Sequence, residues 1–87
     1  MQSVLLYRID PGKNMKRFYR LDLQPDLFGH HCIIREWGRI GRSGQVRRIP
    51  YPTGEEAQIA FYKQWKVKER KGYKANNHRD DFKRWLL

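Results

Sequence analysis

The chain has 87 residues, room for one domain with a modest core, and its single cysteine, Cys32, leaves no internal disulfide to staple it. Nineteen Lys and Arg against nine Asp and Glu give a formal charge of +10, a field that attracts phosphate polymers and anionic surfaces. The apolar run at the start, Val4 to Leu6, meets Arg8 and Asp10 at once, and no stretch approaches the ~20 apolar residues of a membrane span. The reading is therefore a protein of a reducing compartment, expected in the cytoplasm, with no membrane partner.

The first strand is expected over residues 3–10, with Leu5, Tyr7 and Ile9 on one face and Arg8 and Asp10 on the other. Asp10 to Asn14 forms a turn cluster around Pro11 and Gly12. A second strand follows over 15–23, with Tyr19, Leu21 and Leu23 facing one way and Phe18, Arg20 and Asp22 the other. The short turn pairs these strands as a hairpin. Residues 24–29, with Pro25, form a loop. A third strand is expected at about 31–37, with Cys32, Ile33 and Ile34 as its buried centre. Gly38 to Gly44 is a glycine-punctuated turn, and 45–51 a fourth strand, in which Pro50 marks a strand end or an edge.

Thr53-Gly54-Glu55-Glu56 places Thr at the N-cap and Glu at N3, a capping box that opens a helix. Ala57, Ala60, Phe61, Gln64, Trp65 and Lys68 then recur at helical spacing, and Gly72 suits the position just past the helix end. Phe61 and Trp65 are assigned to the core, and Lys63, Lys66 and Arg70 to a solvated stripe. Strands followed by one long helix predict an α+β fold: a small antiparallel sheet packed against a long C-terminal helix. Residues 1–87 read as a single domain with a core over about 3–74. In the extension over 75–87, Phe82, Trp85, Leu86 and Leu87 suit a short helix or strand docking on the sheet.

The segment Arg35-Glu36-Trp37-Gly38-Arg39-Ile40-Gly41-Arg42-Ser43-Gly44-Gln45 concentrates the chemistry. Between Leu27 and Gly54 stand five arginines and one acid, Glu36, which reads as the ion-pair partner of a neighbouring arginine. Glycines let phosphate or sugar approach backbone amides, and Trp37 offers a flat surface beside the charges. Aromatic stacking with arginine–phosphate pairing is a common way to hold nucleic acid. From residue type alone, a hairpin turn with Trp37 anchored in the core and solvated arginines stays open as the alternative.

REWGRIGRSGQ, with Trp37-Gly38-Arg39 at its centre, resembles the signature of the WGR domain family. The order of strands and Thr-capped helix ending in Lys71-Gly72-Tyr73 is similar over residues 3–74. WGR domains occur in DNA-break-activated poly(ADP-ribose) polymerases and as free-standing bacterial proteins. The resemblance implies DNA binding near a break, with Trp37 against a sugar at a 5′ end. In the polymerases the motif arginine joins DNA binding to neighbouring domains. Read as free-standing, this chain leaves Arg39 to contact phosphate or a partner, and the absent catalytic domain implies no ADP-ribose transfer.

The expected nucleic-acid-binding residues are Trp37, Gly38, Arg39, Arg42 and Arg48, with DNA favoured over RNA. The competing class is a protein–protein adaptor docking an acidic partner through the same turn. Exposure of the Trp37 ring separates the two. No enzyme is expected. The glycine spacing is not a dinucleotide fingerprint, no P-loop is present, and Ser3 and Ser43 have no base nearby in sequence. No cofactor or metal is expected, because adjacent His30, His31 and Cys32 point to alternating faces of a strand.

Overall fold

A computed structural model describes residues 2–75 of the chain. The strands are β1 (Gln2–Asp10), β2 (Met15–Pro25), β3 (His31–Arg39), β4 (Gln45–Tyr51) and β5 (Lys74–Ala75), and the helix is α1 (Gly54–Arg70). All strands pair antiparallel in one sheet of order β4-β3-β2-β1-β5. The first four therefore form a meander, and the chain returns through α1 to add β5 at the far edge. This is the α+β architecture expected from the sequence. The extension beyond β5, with Phe82, Trp85, Leu86 and Leu87, lies outside the described residues.

One face of the sheet meets α1. Val4 and Leu6 from β1, Tyr19, Leu21 and Leu23 from β2, and Ile33 from β3 pack with Ala57 and Phe61 of the helix and with Tyr73. Strand alternation puts Leu5, Tyr7 and Ile9 together, as expected, but on the outer face. Val4 and Leu6, on the opposite side, are the residues that enter the core. Both parities of this strand carry apolar side chains, so its pattern alone does not say which one meets the helix. In β3, Cys32 and Ile33 are buried and Ile34 is half-buried. Glu36 pairs with Arg20 at 3.3 Å, and the same guanidinium reaches Asp22 at 3.2 Å.

The helix begins and ends on local signals. The Thr53 hydroxyl accepts the Glu56 N–H at 3.1 Å, satisfying one orphan amide of the first turn. At the other end, Tyr73 N–H donates to the Lys68 carbonyl and Gly72 N–H to the Glu69 carbonyl, both at 3.0 Å. This Schellman arrangement needs a left-handed residue at its centre, and Gly72 has φ +95°. The turn reverses the chain sharply and drives Tyr73 back into the core.

The turn between β3 and β4 depends on a close approach. A Cβ on Gly44 would sit 2.5 Å from the Trp37 carbonyl oxygen and 2.8 Å from the Phe18 ring, and one on Gly38 2.9 Å from the Gly44 Cα. The glycines therefore let β3 and β4 close against each other under Phe18, on the outer face. Gly44→Ala must push backbone apart, and overpacking of this kind costs about 1–3 kcal/mol. We expect Gly44→Ala to lower the unfolding free energy by that amount, read as a lower urea midpoint with an unchanged m-value. A midpoint equal to that of the unmodified chain would show that the turn opens freely.

Candidate nucleic-acid interface

Strand register assembles a cationic row that linear sequence does not display. Arg8 of β1 pairs with Arg17 of β2, and Arg17 pairs with Arg39 of β3. Alternation puts all three on the helix-covered face, beyond its apolar rows. Two steps inward, beyond the Trp37 position, Arg35 pairs with Arg47 on that same face. Like charges directly opposite across strands are destabilising. The ion pairs among the described residues are Arg20–Asp22, Arg20–Glu36 and His30–Asp26, and none involves a member of these rows.

The row borders a groove of about 400 Å³ at the C-terminal end of α1, lined by Arg17, Trp37, Gly38, Arg39, Lys68 and Tyr73. Behind that lining, in contact with Trp37, Tyr73 and Lys68, lies the buried ring of Tyr19. Trp37 stacks beside that ring at a centroid distance of 6.5 Å and an interplanar angle of 29°, and Tyr73 meets it edge-on at 6.2 Å. The Lys68 ammonium stands over Tyr19 at 4.5 Å and near Tyr73 at 5.4 Å. Arg35 donates from Nε to the Tyr19 hydroxyl, and its guanidinium carbon lies 5.5 Å from the Trp37 ring centroid. Cation–π contacts let two cations sit against apolar surface without a carboxylate. Burial raises the Tyr19 phenol above its ordinary value despite the Arg35 hydrogen bond.

Trp37 is half-buried. Part of it packs against the core and part lines the groove, so neither extreme posed by the sequence applies. Gly38 contributes backbone to the groove wall, while its missing Cβ serves the packing of the opposite face. Arg39 lines the groove and reaches the Asn14 carbonyl at 3.5 Å. Arg42 is exposed on the adjoining turn. Arg48 stands apart. It pairs with Ile34, which alternation places on the outer face, opposite Trp37. The structure thus unites Trp37, Gly38 and Arg39, leaves Arg42 on the exposed turn outside the groove's lining, and separates Arg48 from them.

Sequence reasoning missed Arg8, Arg17, Arg35, Lys68 and Tyr73. A signal for the first two exists. Once the Asp10–Met15 pair closes the first hairpin, counting back two residues on each side gives Arg8 opposite Arg17.

A family model described as the WGR domain matches residues 2–80. The chain belongs to the WGR domain family. An uncharacterized protein of Sinorhizobium fredii (strain NBRC 101917 / NGR234), y4dW, is 39% identical to it over 67 residues. That alignment covers 77% of this chain and 33% of the relative, so the chain spans about a third of the relative's length. No solved structure matches the chain. WGR domains are linked to nucleic-acid binding in proteins related to poly(ADP-ribose) polymerases. No helix among the described residues is long and apolar enough to cross a membrane.

The groove makes a measurable demand on Lys68. Burial pushes its ammonium below the ordinary 10.5, and the charges of Lys71, Arg35 and Arg17 push it further the same way. The folded chain therefore holds this proton less tightly than the unfolded chain, and losing it stabilises the fold. Between the lowered value and 10.5, the stability of the wild type relative to Lys68→Met should rise with pH. Paired urea melts across that window check the sign. A difference that falls would show that Lys68 is not crowded by the cations around it.

Proposed function

We propose that this domain binds nucleic acid, DNA in preference to RNA, at the groove bounded by Trp37, Arg17, Arg39, Lys68 and Tyr73, and that it performs no catalysis. The observation that carries the reading is the Arg8–Arg17–Arg39 row, paired side by side across three strands. Such a row costs folding energy when empty, and a polyanion relieves the repulsion. Phosphates supply the negative charge that the described residues do not bring to the row. The half-buried Trp37, anchored on Tyr19, presents a rigid surface to a sugar or base beside those phosphates.

The WGR family favours ends or nicks of DNA as the preferred form. The adaptor reading, in which the groove docks an acidic protein, shares the arginines but gives the aromatic wall no specific task.

Anisotropy titrations with blunt, nicked and circular DNA and with RNA, at several salt concentrations, test the proposal. If ~4–6 phosphates are neutralised, log K falls against log salt with a slope of about −4 to −5. Arg17→Gln should reduce that slope by about 1 and weaken binding to all sequences alike. Its melting temperature should hold or rise, because the substitution removes a like-charge neighbour from the row. Trp37→Ala should weaken end binding roughly 5- to 150-fold, the ~1–3 kcal/mol of a stacking aromatic. It should also lower the melting temperature, since the ring packs against the core. A salt slope near zero in the wild type would remove nucleic acid as the ligand, and Arg17→Gln binding with unchanged affinity and slope would remove the arginine row from the site.

A further inference from the structure

The end of the sheet away from the groove carries the most exposed apolar side chains of the described residues. Leu27 is 98% and Phe28 84% exposed, adjacent, at the tip of the loop between β2 and β3. The loop holding them is tied down. The Asp26 carboxylate accepts the Phe28 N–H at 2.8 Å and the His30 N–H at 2.9 Å, and Asp26 N–H donates to the His30 carbonyl at 2.7 Å. Desolvation pushes the Asp26 carboxyl up, but those amide bonds and the nearby His30 and Arg48 charges outweigh it and hold it below its ordinary value. The loop therefore holds two large apolar side chains in water, and Arg48 is near enough to its anchoring Asp26 to lower that carboxyl.

Between tip and groove lies β4, an edge strand. Arg42 on the turn and Arg47 and Arg48 on the strand are all exposed, and none forms an ion pair among the described residues. Arg47 lies on the helix-covered face and Arg48 on the outer face, so a chain passing over the edge meets both. The acids of the first helical turn, Glu55 and Glu56, belong to the helix-covered side and steer a phosphate backbone toward the outer side, where Arg48 is. The pairs Trp37–Gln45 and His31–Tyr51 are six residues apart along β3, about 20 Å.

We infer that the β4 edge and the Leu27–Phe28 tip form a second contact on the same nucleic acid, the arginines tracking its backbone and the two apolar side chains wedging against a base step beyond the groove. This rests on the proposed nucleic-acid function and extends it to a footprint. At about 3.4 Å per base pair, the span from the groove to the strand end at the base of the tip is about 6 base pairs. Leu and Phe are the side chains that proteins use as wedges between base steps, and an adjacent arginine holds the phosphate beside the opened step.

The test uses hairpin-capped DNA duplexes with one blunt end and stems of about 5, 8 and 14 base pairs, lengths set by that footprint. The full chain is compared with Leu27→Ser/Phe28→Ser, with Phe28→Trp and with Arg17→Gln by anisotropy at fixed salt. Both tip side chains are exposed, so thermal melts should be the same for all tip variants. The wild type should gain roughly 5-fold or more in affinity between the shortest and longest stems, the lower end of what one stacked aromatic contributes. The double variant should lose most of that gain, the β4 arginines keeping the remainder, while binding the shortest stem as the wild type does, and Phe28→Trp should keep it. A double variant that retains the gain, or a wild type that shows none, overturns the second contact. The groove reading is judged separately by Arg17→Gln on the shortest stem. If no stem binds the wild type at all, both readings fail together.

Discussion

The buried ring of Tyr19 holds the sheet, the helix end and the groove in one place. It is the largest of the fully buried side chains among the described residues. Trp37 leans on it from the neighbouring strand, Tyr73 meets its edge from beyond the helix, and Lys68 of the helix stands over its face. Its hydroxyl takes the Arg35 hydrogen bond, which fixes a guanidinium beside Trp37. A smaller side chain here would leave the cations without their aromatic support. A phenylalanine would keep the packing and release Arg35. The rigidity of the groove is thus a consequence of core packing, continuous with the cluster that holds α1 on the sheet.

Around that ring the fold accepts an electrostatic cost. Arg8, Arg17 and Arg39 face one another across adjacent strands, and Lys68 is held close to Arg17 and Arg35. On the outer face the opposite rule operates, with Arg20 paired to both Asp22 and Glu36. Asp22 and Glu36 are therefore spent on the face away from the groove, while Asp10, at the end of β1 on the arginines' side, forms no ion pair with them among the described residues. Such an arrangement makes little sense as a device for stability. It makes good sense for a surface that meets phosphate.

The two ends of the sheet differ in kind. At the motif end, glycines, aromatic rings and cations line a groove. At the other end, a hydrogen-bonded loop holds Leu27 and Phe28 in water. The meander places the motif turn and the helix C-terminus at one end and the loop and the helix N-terminus at the other. Both ends are reached along the same edge strand. The relative from Sinorhizobium fredii carries its matching region within a chain about three times as long as that region.

Much of this was legible in the residues themselves. The capping by Thr53, the stop at Gly72 and the period of Ala57, Phe61 and Lys68 are local signals, and they determine α1 to within a residue or two. The alternation of Tyr19, Leu21 and Leu23 against Arg20 and Asp22 determines which face of β2 is buried. The Trp37-Gly38-Arg39 motif marks the site. What local pattern leaves undecided is registry between strands. Leu5 and Leu6 are equally apolar, and only the helix decides that Leu6 is core. Arg48 reads as a neighbour of Trp37 along the chain, yet the pairing of Ile34 with Arg48 puts it on the other side of the sheet. Arg8 and Arg39 lie 31 positions apart and become part of one row only because two turns set two registers. A one-residue slip in either turn would move a strand's side chains to the opposite face. Short-range chemistry determines the elements, whereas the charge row is a property of their alignment, and alignment exists only once the sheet has formed.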